Sequence, residues 1–285
     1  VIEFWPVGGS DSNGDIFGKG GEMSFKKIAA TFCISLVGVW GLEVGVSIPP
    51  EKGIVERIGG ERVQVEVLLP EGSSPVTYTP PLQKLMKYRK IPLFFSIGVP
   101  FEKRLIPKLR ELNPNLKVVD IGRYLHRLKR GGVPDPHIWL SPPLLLLQGE
   151  VVLEELIKRD PTNKGYYLEN FRKFVAEVEK LEEMGWRKIH QHAFLTFHPS
   201  FSYFAETYNL KQLWIEGQQN SGSLAFLRQL VEEARRLGVK RVFIAPEFPT
   251  RFAEVVARQI GAKVVVISPL RDPFKTIPQL IEELE

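Results

Sequence analysis

One cysteine, Cys33, is all the thiol chemistry in 285 residues. It sits in an apolar stretch near the N-terminus, so the body of the chain can form neither a disulfide nor a thiolate metal site. Charge of one sign is also lacking. Lysine and arginine total 38 against 33 aspartate and glutamate, a net +5 spread along helix faces. With no aromatic-basic interleaving and no recognition motif, that balance reads as solvated surface and speaks against a nucleic-acid partner. No phosphate-binding loop and no nucleophile–base constellation stands out, and no repeat recurs at a fixed period. What is present is apolar bulk. Hydrophobic residues make up 44%, enough for a substantial core in one large domain or two lobes.

The first 41 residues are expected to lie outside the fold. Met23-Ser24-Phe25-Lys26-Lys27 opens an apolar run over 28–40. A positive start followed by an apolar stretch of that length is the pattern of a Sec signal peptide, and Gly41 offers a small residue for cleavage. Residues 1–22 then read as upstream sequence. An N-terminal membrane anchor is the alternative. A lipid anchor on Cys33 is not expected, because Phe32 stands where a small residue is required and the apolar run continues past it. The protein is therefore expected to be periplasmic or otherwise extracytoplasmic.

From Leu42 onward, β-branched apolar runs alternate with helical patterns. Strands are expected over 44–47, 63–69, 93–97 and 118–121, and helices over 51–58, 81–88 and 101–112. This order is the mark of a parallel α/β sheet. Tyr167, Phe171, Phe174, Val178 and Leu181 then repeat at three- and four-residue steps. They predict one long helix over 160–189, with Asp160 as its cap and Pro161 in its first turn. Strands return over 192–197, 212–216, 242–245 and 264–267, with helices between them and a last helix over 277–284. Ser223 and Thr250 are expected to cap two of these helices. The predicted architecture is two parallel-sheet α/β lobes joined by a single long helix: an N-terminal lobe (42–159), the linking helix (160–190) and a C-terminal lobe (191–285). A helical spine is expected to limit opening between the lobes.

Ligands of open α/β sheets sit beyond the carboxyl ends of the strands. Residues 73–79, His198, Glu247 and Ser268 fall at such ends, and His137 follows the last clear strand of the first lobe. His137 lies in Asp135-Pro136-His137-Ile138-Trp139-Leu140, and His198 in Phe197-His198-Pro199-Ser200-Phe201. Neutral imidazole is a common metal ligand near pH 7, so two of them from distant segments suggest a site between the halves. Trp139, Phe201 and Tyr203 read as core or cleft-lining groups. His190 and His192 have chelate spacing on a strand but fall at the far end of the long helix. His126, among Arg123, Arg127, Lys129 and Arg130, reads as surface.

The chain from about residue 44 onward resembles the zinc- and manganese-binding solute-binding proteins of ABC transporters. The resemblance rests on Ile58-Gly59-Gly60, on the run from Leu68 to Pro80, and on Ile97-Gly98 with Phe101-Glu102. It rests also on the Asp135–Leu140 segment, and on His198 with Phe201, Tyr203-Phe204-Ala205 and Tyr208. It implies that His137 and His198 are metal ligands. Of the family's other two ligand positions, one carries Val76 and the other Ser268, and the acidic histidine-rich loop common in zinc members is missing. Glu247, in Ala245-Pro246-Glu247-Phe248-Pro249, is the expected third ligand, since a carboxylate suits zinc or manganese. Asp272 reads as a turn cap before Pro273. The resemblance implies a monomer that carries zinc or manganese as cargo to a membrane permease. Two alternatives stay open: the same fold holding another ligand such as a metal complex, and a chelatase-like enzyme.

Overall fold

The computed structural model describes residues 41–130, 132–216 and 223–285. The expected export segment, through residue 40, lies outside the described residues. Strands β1 (Leu42–Val46), β2 (Val63–Val67), β3 (Leu93–Ser96) and β4 (Lys117–Asp120) form a parallel sheet in the order β2-β1-β3-β4. Helices α1 (Pro49–Gly59), α2 (Leu82–Lys87) and α3 (Glu102–Leu112) make its crossovers. A short antiparallel hairpin follows, β5 (Lys129–Arg130) with β6 (Val133–Pro134), which the sequence reading does not anticipate.

Two helices come next. α4 spans Pro142–Arg159 and α5 spans Lys164–Lys188, about 38 Å at 1.5 Å per residue. The sequence expectation contains α5 but not α4. It also starts the long helix too early. Asp160 is not its cap; it opens a 3-10 turn over Pro161–Asn163. Its carboxylate accepts from Thr162 Oγ1, Asn163 Nδ2 and Tyr167 Oη, each at 2.7 Å, and so fixes the corner between α4 and α5.

The second sheet repeats the plan of the first. β7 (Ala193–Thr196), β8 (Lys211–Trp214), β9 (Arg241–Ile244) and β10 (Lys263–Val266) are parallel, in the order β10-β9-β7-β8. Helices α6 (Ser202–Thr207), α7 (Leu224–Arg236), α8 (Arg251–Ile260) and α9 (Pro273–Glu283) connect and close it. Ser223 caps α7, its hydroxyl accepting from Phe226 N at 3.1 Å. Thr250 does not make the expected cap bond; its hydroxyl donates to Glu254 Oε1 instead. Asp272 caps α9 through Phe274 N and pairs with Arg57 of α1.

In both sheets the first strand lies between the second and the third, so both have their switch point beside that first strand. In the first sheet Ser47, Ile48 and Ile97, in the loops leaving β1 and β3 there, are buried, and their N–H groups need acceptors. A glutamate at the start of each following helix supplies them. Glu51 Oε2 accepts from Ser47 N and Ile48 N at 2.9 and 3.0 Å. Glu102 accepts from Ile97 N and Gly98 N at 2.9 and 2.8 Å. Burial, and then the charge of Glu102, push the Glu51 carboxyl well above its usual range; burial raises Glu102 as well.

One apolar core runs through both lobes. It joins Val44, Phe94 and Phe95 of the first sheet to Trp139, Leu145 and Val152, then to Phe174 and Val178 of α5, and on to Phe194 and Phe243 of the second sheet. A separate cluster under α7 and α8 covers that sheet's other face. Along α5 the buried positions include Tyr167, Phe174, Val178, Leu181 and Gly185. Gly185 has no room for a side chain: an added Cβ would lie 2.2 Å from the Tyr208 ring. Helix propensity alone favours Gly185→Ala by about 1 kcal/mol. Overpacking against Tyr208 costs about 1–3 kcal/mol and should outweigh that gain, for a net loss of up to about 2 kcal/mol. Urea denaturation checks this; a stabilised variant would contradict the packing described.

Candidate metal site in the interlobe cleft

The second sheet places His198 two residues past β7 and Glu247 three residues past β9, on adjacent strands at the switch point. His137 arrives from the first half of the chain, just before a 3-10 turn over Ile138–Leu140. That segment is tied to the second lobe by four side chains. Tyr203 Oη donates to Asp135 O at 3.0 Å and accepts from Leu128 N at 2.9 Å. The fully buried Trp139 donates its Nε1–H to Pro269 O at 2.7 Å. Ser141 and Thr207 share a hydroxyl hydrogen bond of 2.8 Å. The expected core role of Trp139 and Tyr203 therefore includes holding the histidine segment in place.

The two imidazoles meet with ring centroids 5.4 Å apart and planes at 65°. Each has a carboxylate on its Nδ1: Asp135 Oδ1 at 2.6 Å from His137, and Glu216 Oε2 at 2.5 Å from His198. An ionised carboxylate only accepts, so Nδ1 carries the proton and Nε2 keeps its lone pair. Two nitrogens bound to one ion at about 2.0–2.1 Å lie roughly 3–4 Å apart, a gap that rings at this spacing can close on. Trp139 lies against His137 at 5.2 Å, and Phe248 stacks on His198 at 6.1 Å.

The electrostatics favour ligation. Burial, then the neighbouring His137, hold the His198 imidazole below its usual range, against the pull of Glu216. Burial raises Asp135, but its hydrogen bond and charge interaction with His137 outweigh that, and its carboxyl lies below the usual range. The first effect favours the neutral His198 imidazole, and the second favours the ionised Asp135 carboxylate.

His137, His198, Glu216 and Glu247 line one cavity of about 440 Å³, together with Val76. Glu247 is exposed on its wall. Among the described residues, no group of three or more His, Cys, Asp or Glu is gathered closely enough to hold a metal ion. Val76 is 62% exposed. The Ser268 hydroxyl accepts from Leu270 N at 3.2 Å in the turn after β10. His190 and His192 are exposed just before β7, where the backbone N of His190 bonds Leu284 O. His126 is exposed too.

The sequence reading misses the partners of the imidazoles. Asp135 could have been found as the acid two residues before His137. Glu216 could have been found from pairing β7 with β8, whose register sets Thr196 opposite Trp214 and so aligns the residues two steps beyond. Arg130, on the hairpin, is missed as a cavity residue.

Comparison with known proteins agrees with this architecture. The family model for ZnuA, zinc-uptake complex component A, periplasmic, matches residues 44–282. The high-affinity zinc uptake system protein ZnuA of Bacillus subtilis is 33% identical over 141 residues, 48% of this chain; the match spans less than half of that protein, 44%. The metal ABC transporter substrate-binding lipoprotein SloC of Streptococcus mutans is 23% identical over 233 residues, covering 74% of this chain and 75% of that one. A crystal structure of ZnuA aligns with a TM-score of 0.79 and 36% identity over 85% of this chain and 97% of its own. With a family model that reaches from the first strand into the last helix, the chain belongs to the ZnuA family of periplasmic zinc-uptake components.

Proposed function

We propose that this chain captures a divalent ion, zinc or manganese, between its lobes and delivers it to the permease of an ABC transporter. The observation that carries the reading is the pair of facing imidazoles, each with its Nδ1 on a carboxylate. The carboxylate–histidine pairing orients the ring, fixes the tautomer and raises the basicity of the ligating nitrogen. His137 and His198 are the ligands, and Glu247 offers a third from the neighbouring strand end. Capture and release need no catalytic step. Relatives described as zinc-uptake and metal ABC transporter components support a binding role over a chelatase-like one.

His137→Ala and His198→Ala should each weaken zinc binding by about a hundredfold or more. Asp135→Asn and Glu216→Gln should each cost about 10–100-fold, the usual effect of losing an outer partner. Titration calorimetry at pH 7 measures both sets, and unchanged affinity in both histidine variants would remove the site. The pH dependence has a definite sign. A proton on the imidazole displaces the metal. Because the His198 value is lowered in the fold, its nitrogen stays available below the ordinary histidine value of about 6.5. Affinity should therefore persist through about pH 6.5 and fall only at more acid pH; a profile that stays flat under strongly acid conditions would contradict ligation by histidine.

Glu247→Gln should weaken binding comparably to the loss of a histidine. Ser268→Asp should strengthen it by presenting a carboxylate at the end of β10, next to β9. Affinity unaltered by Glu247→Gln would leave the ion to the two imidazoles alone.

The Lys26-Lys27 start and the apolar run after it support export, with the mature chain beginning near Gly41. Several relatives are named as lipoproteins, which gives no support to the expectation that Cys33 carries no lipid. Intact-mass measurement on protein taken from the cell envelope decides both points. A mature species that retains residues 1–22 would contradict cleavage, and a diacylglycerol mass on Cys33 would contradict a free N-terminal segment.

A further inference from the structure

The cavity is larger than a bare ion needs. Its volume of about 440 Å³ is in the range of small-molecule sites, whereas one water occupies about 30 Å³ of liquid. Across from the histidines much of its wall is apolar, with Pro75, Val76, Val99 and Pro100, and Phe248 adds an apolar face beside His198. These groups cannot ligate a metal, and they give nothing to the water that would hydrate one. The metal end is correspondingly incomplete. Two imidazoles face each other, with Asp135 and Glu216 taken up on their Nδ1 atoms, and among the described residues no group of three His, Cys, Asp or Glu is placed to hold a metal ion. Even with Glu247 drawn in, a two-histidine, one-carboxylate set leaves open positions on the metal.

Arg130 is the one Lys or Arg that lines this cavity among the described residues. It stands on the hairpin of β5 and β6. Its guanidinium bonds the Ser202 hydroxyl, lies 3.6 Å from Asp135 Oδ2, and stacks 4.4 Å from the centre of the Trp214 ring. These contacts fix the fork one carboxylate away from His137 without using all five of its N–H donors. The three carboxylates near the imidazoles, Asp135, Glu216 and Glu247, offset the charge of a divalent ion. Arg130 already has Asp135 as an anionic neighbour, and its remaining N–H donors, held in a fixed planar fork, are shaped to take a second carboxylate.

We propose that the cleft takes its divalent metal as a complex with a small chelating carboxylate that has an apolar body. The imidazoles hold the metal, the chelator fills the open metal positions and lies on the apolar wall, and Arg130 holds its carboxylate. This assignment rests on the metal-binding reading of the same site.

The test uses the exported protein, zinc, and two isomeric probes. Pyridine-2-carboxylate can chelate, and pyridine-4-carboxylate cannot. Zinc affinity is measured by competition alone and with each probe, and native mass spectrometry reads stoichiometry. Pyridine-2-carboxylate should raise zinc affinity by at least about tenfold, the scale of one charge-assisted hydrogen bond. Native spectra should then show protein, zinc and chelator at one each, and pyridine-4-carboxylate should leave affinity unaltered. In Arg130→Gln the enhancement, taken as the ratio of affinities with and without chelator, should shrink several-fold. If pyridine-2-carboxylate only strips zinc from the protein, or if the two isomers act alike, the chelator assignment is overturned and metal binding stands. If zinc fails to bind with or without the probe, the metal reading itself falls.

Discussion

The site depends on the bond between the first half of the chain and the second lobe. Trp139, Tyr203 and the Ser141–Thr207 pair fasten the His137 segment to the lobe that carries His198. Buried hydrogen bonds of this kind are costly to leave unmade, and each crosses from one half of the sequence to the other. The apolar core does the same on a larger scale, running from the first sheet through α4 and α5 to the inner face of the second. The spacing of the two imidazoles is thus set inside one packed body. The opposite wall of the cavity, at Pro75, Val76, Val99 and Pro100, belongs to loops of the first sheet.

Each half of the cleft solves the same problem with carboxylates used in different ways. In the first lobe, Glu51 and Glu102 are turned inward and satisfy the amides of the loops leaving β1 and β3. Burial favours their protonated forms, so they act as structural acceptors rather than as free charge. Around the histidines, Asp135 is paired and kept ionised, and so polarises the ring it touches. A buried acid without such a partner would follow the Glu51 pattern. Asp135 differs from Glu51 in having His137 and Arg130 beside it.

Much of this was legible in the sequence. The strands could be read because both sheets are parallel and covered by helices, which makes each strand a short apolar run between turn residues. α5 could be read because Phe174, Val178 and Leu181 keep a helical step on one face. α4 could not: it opens Pro142-Pro143 and continues through four leucines, so its apolar residues surround the axis and give no period. The start of α5 was misplaced because Asp160 has the composition of a helix cap, while its carboxylate is used by Thr162, Asn163 and Tyr167. His137 and His198 stand out as candidate ligands, but Glu216 does not, since only the β7–β8 register brings it to His198 from 18 residues away. Arg130 was masked by its basic neighbours; its position on a two-residue hairpin strand is a tertiary fact that no local pattern contains.

The central claim is that His137 and His198 jointly ligate one divalent ion. X-ray absorption at the zinc edge of the loaded protein tests it directly. The account predicts two imidazole nitrogens in the first shell at about 2.0–2.1 Å, with the rest of the shell light oxygen or nitrogen and no sulfur. A shell without imidazole, or with a single one, would contradict it.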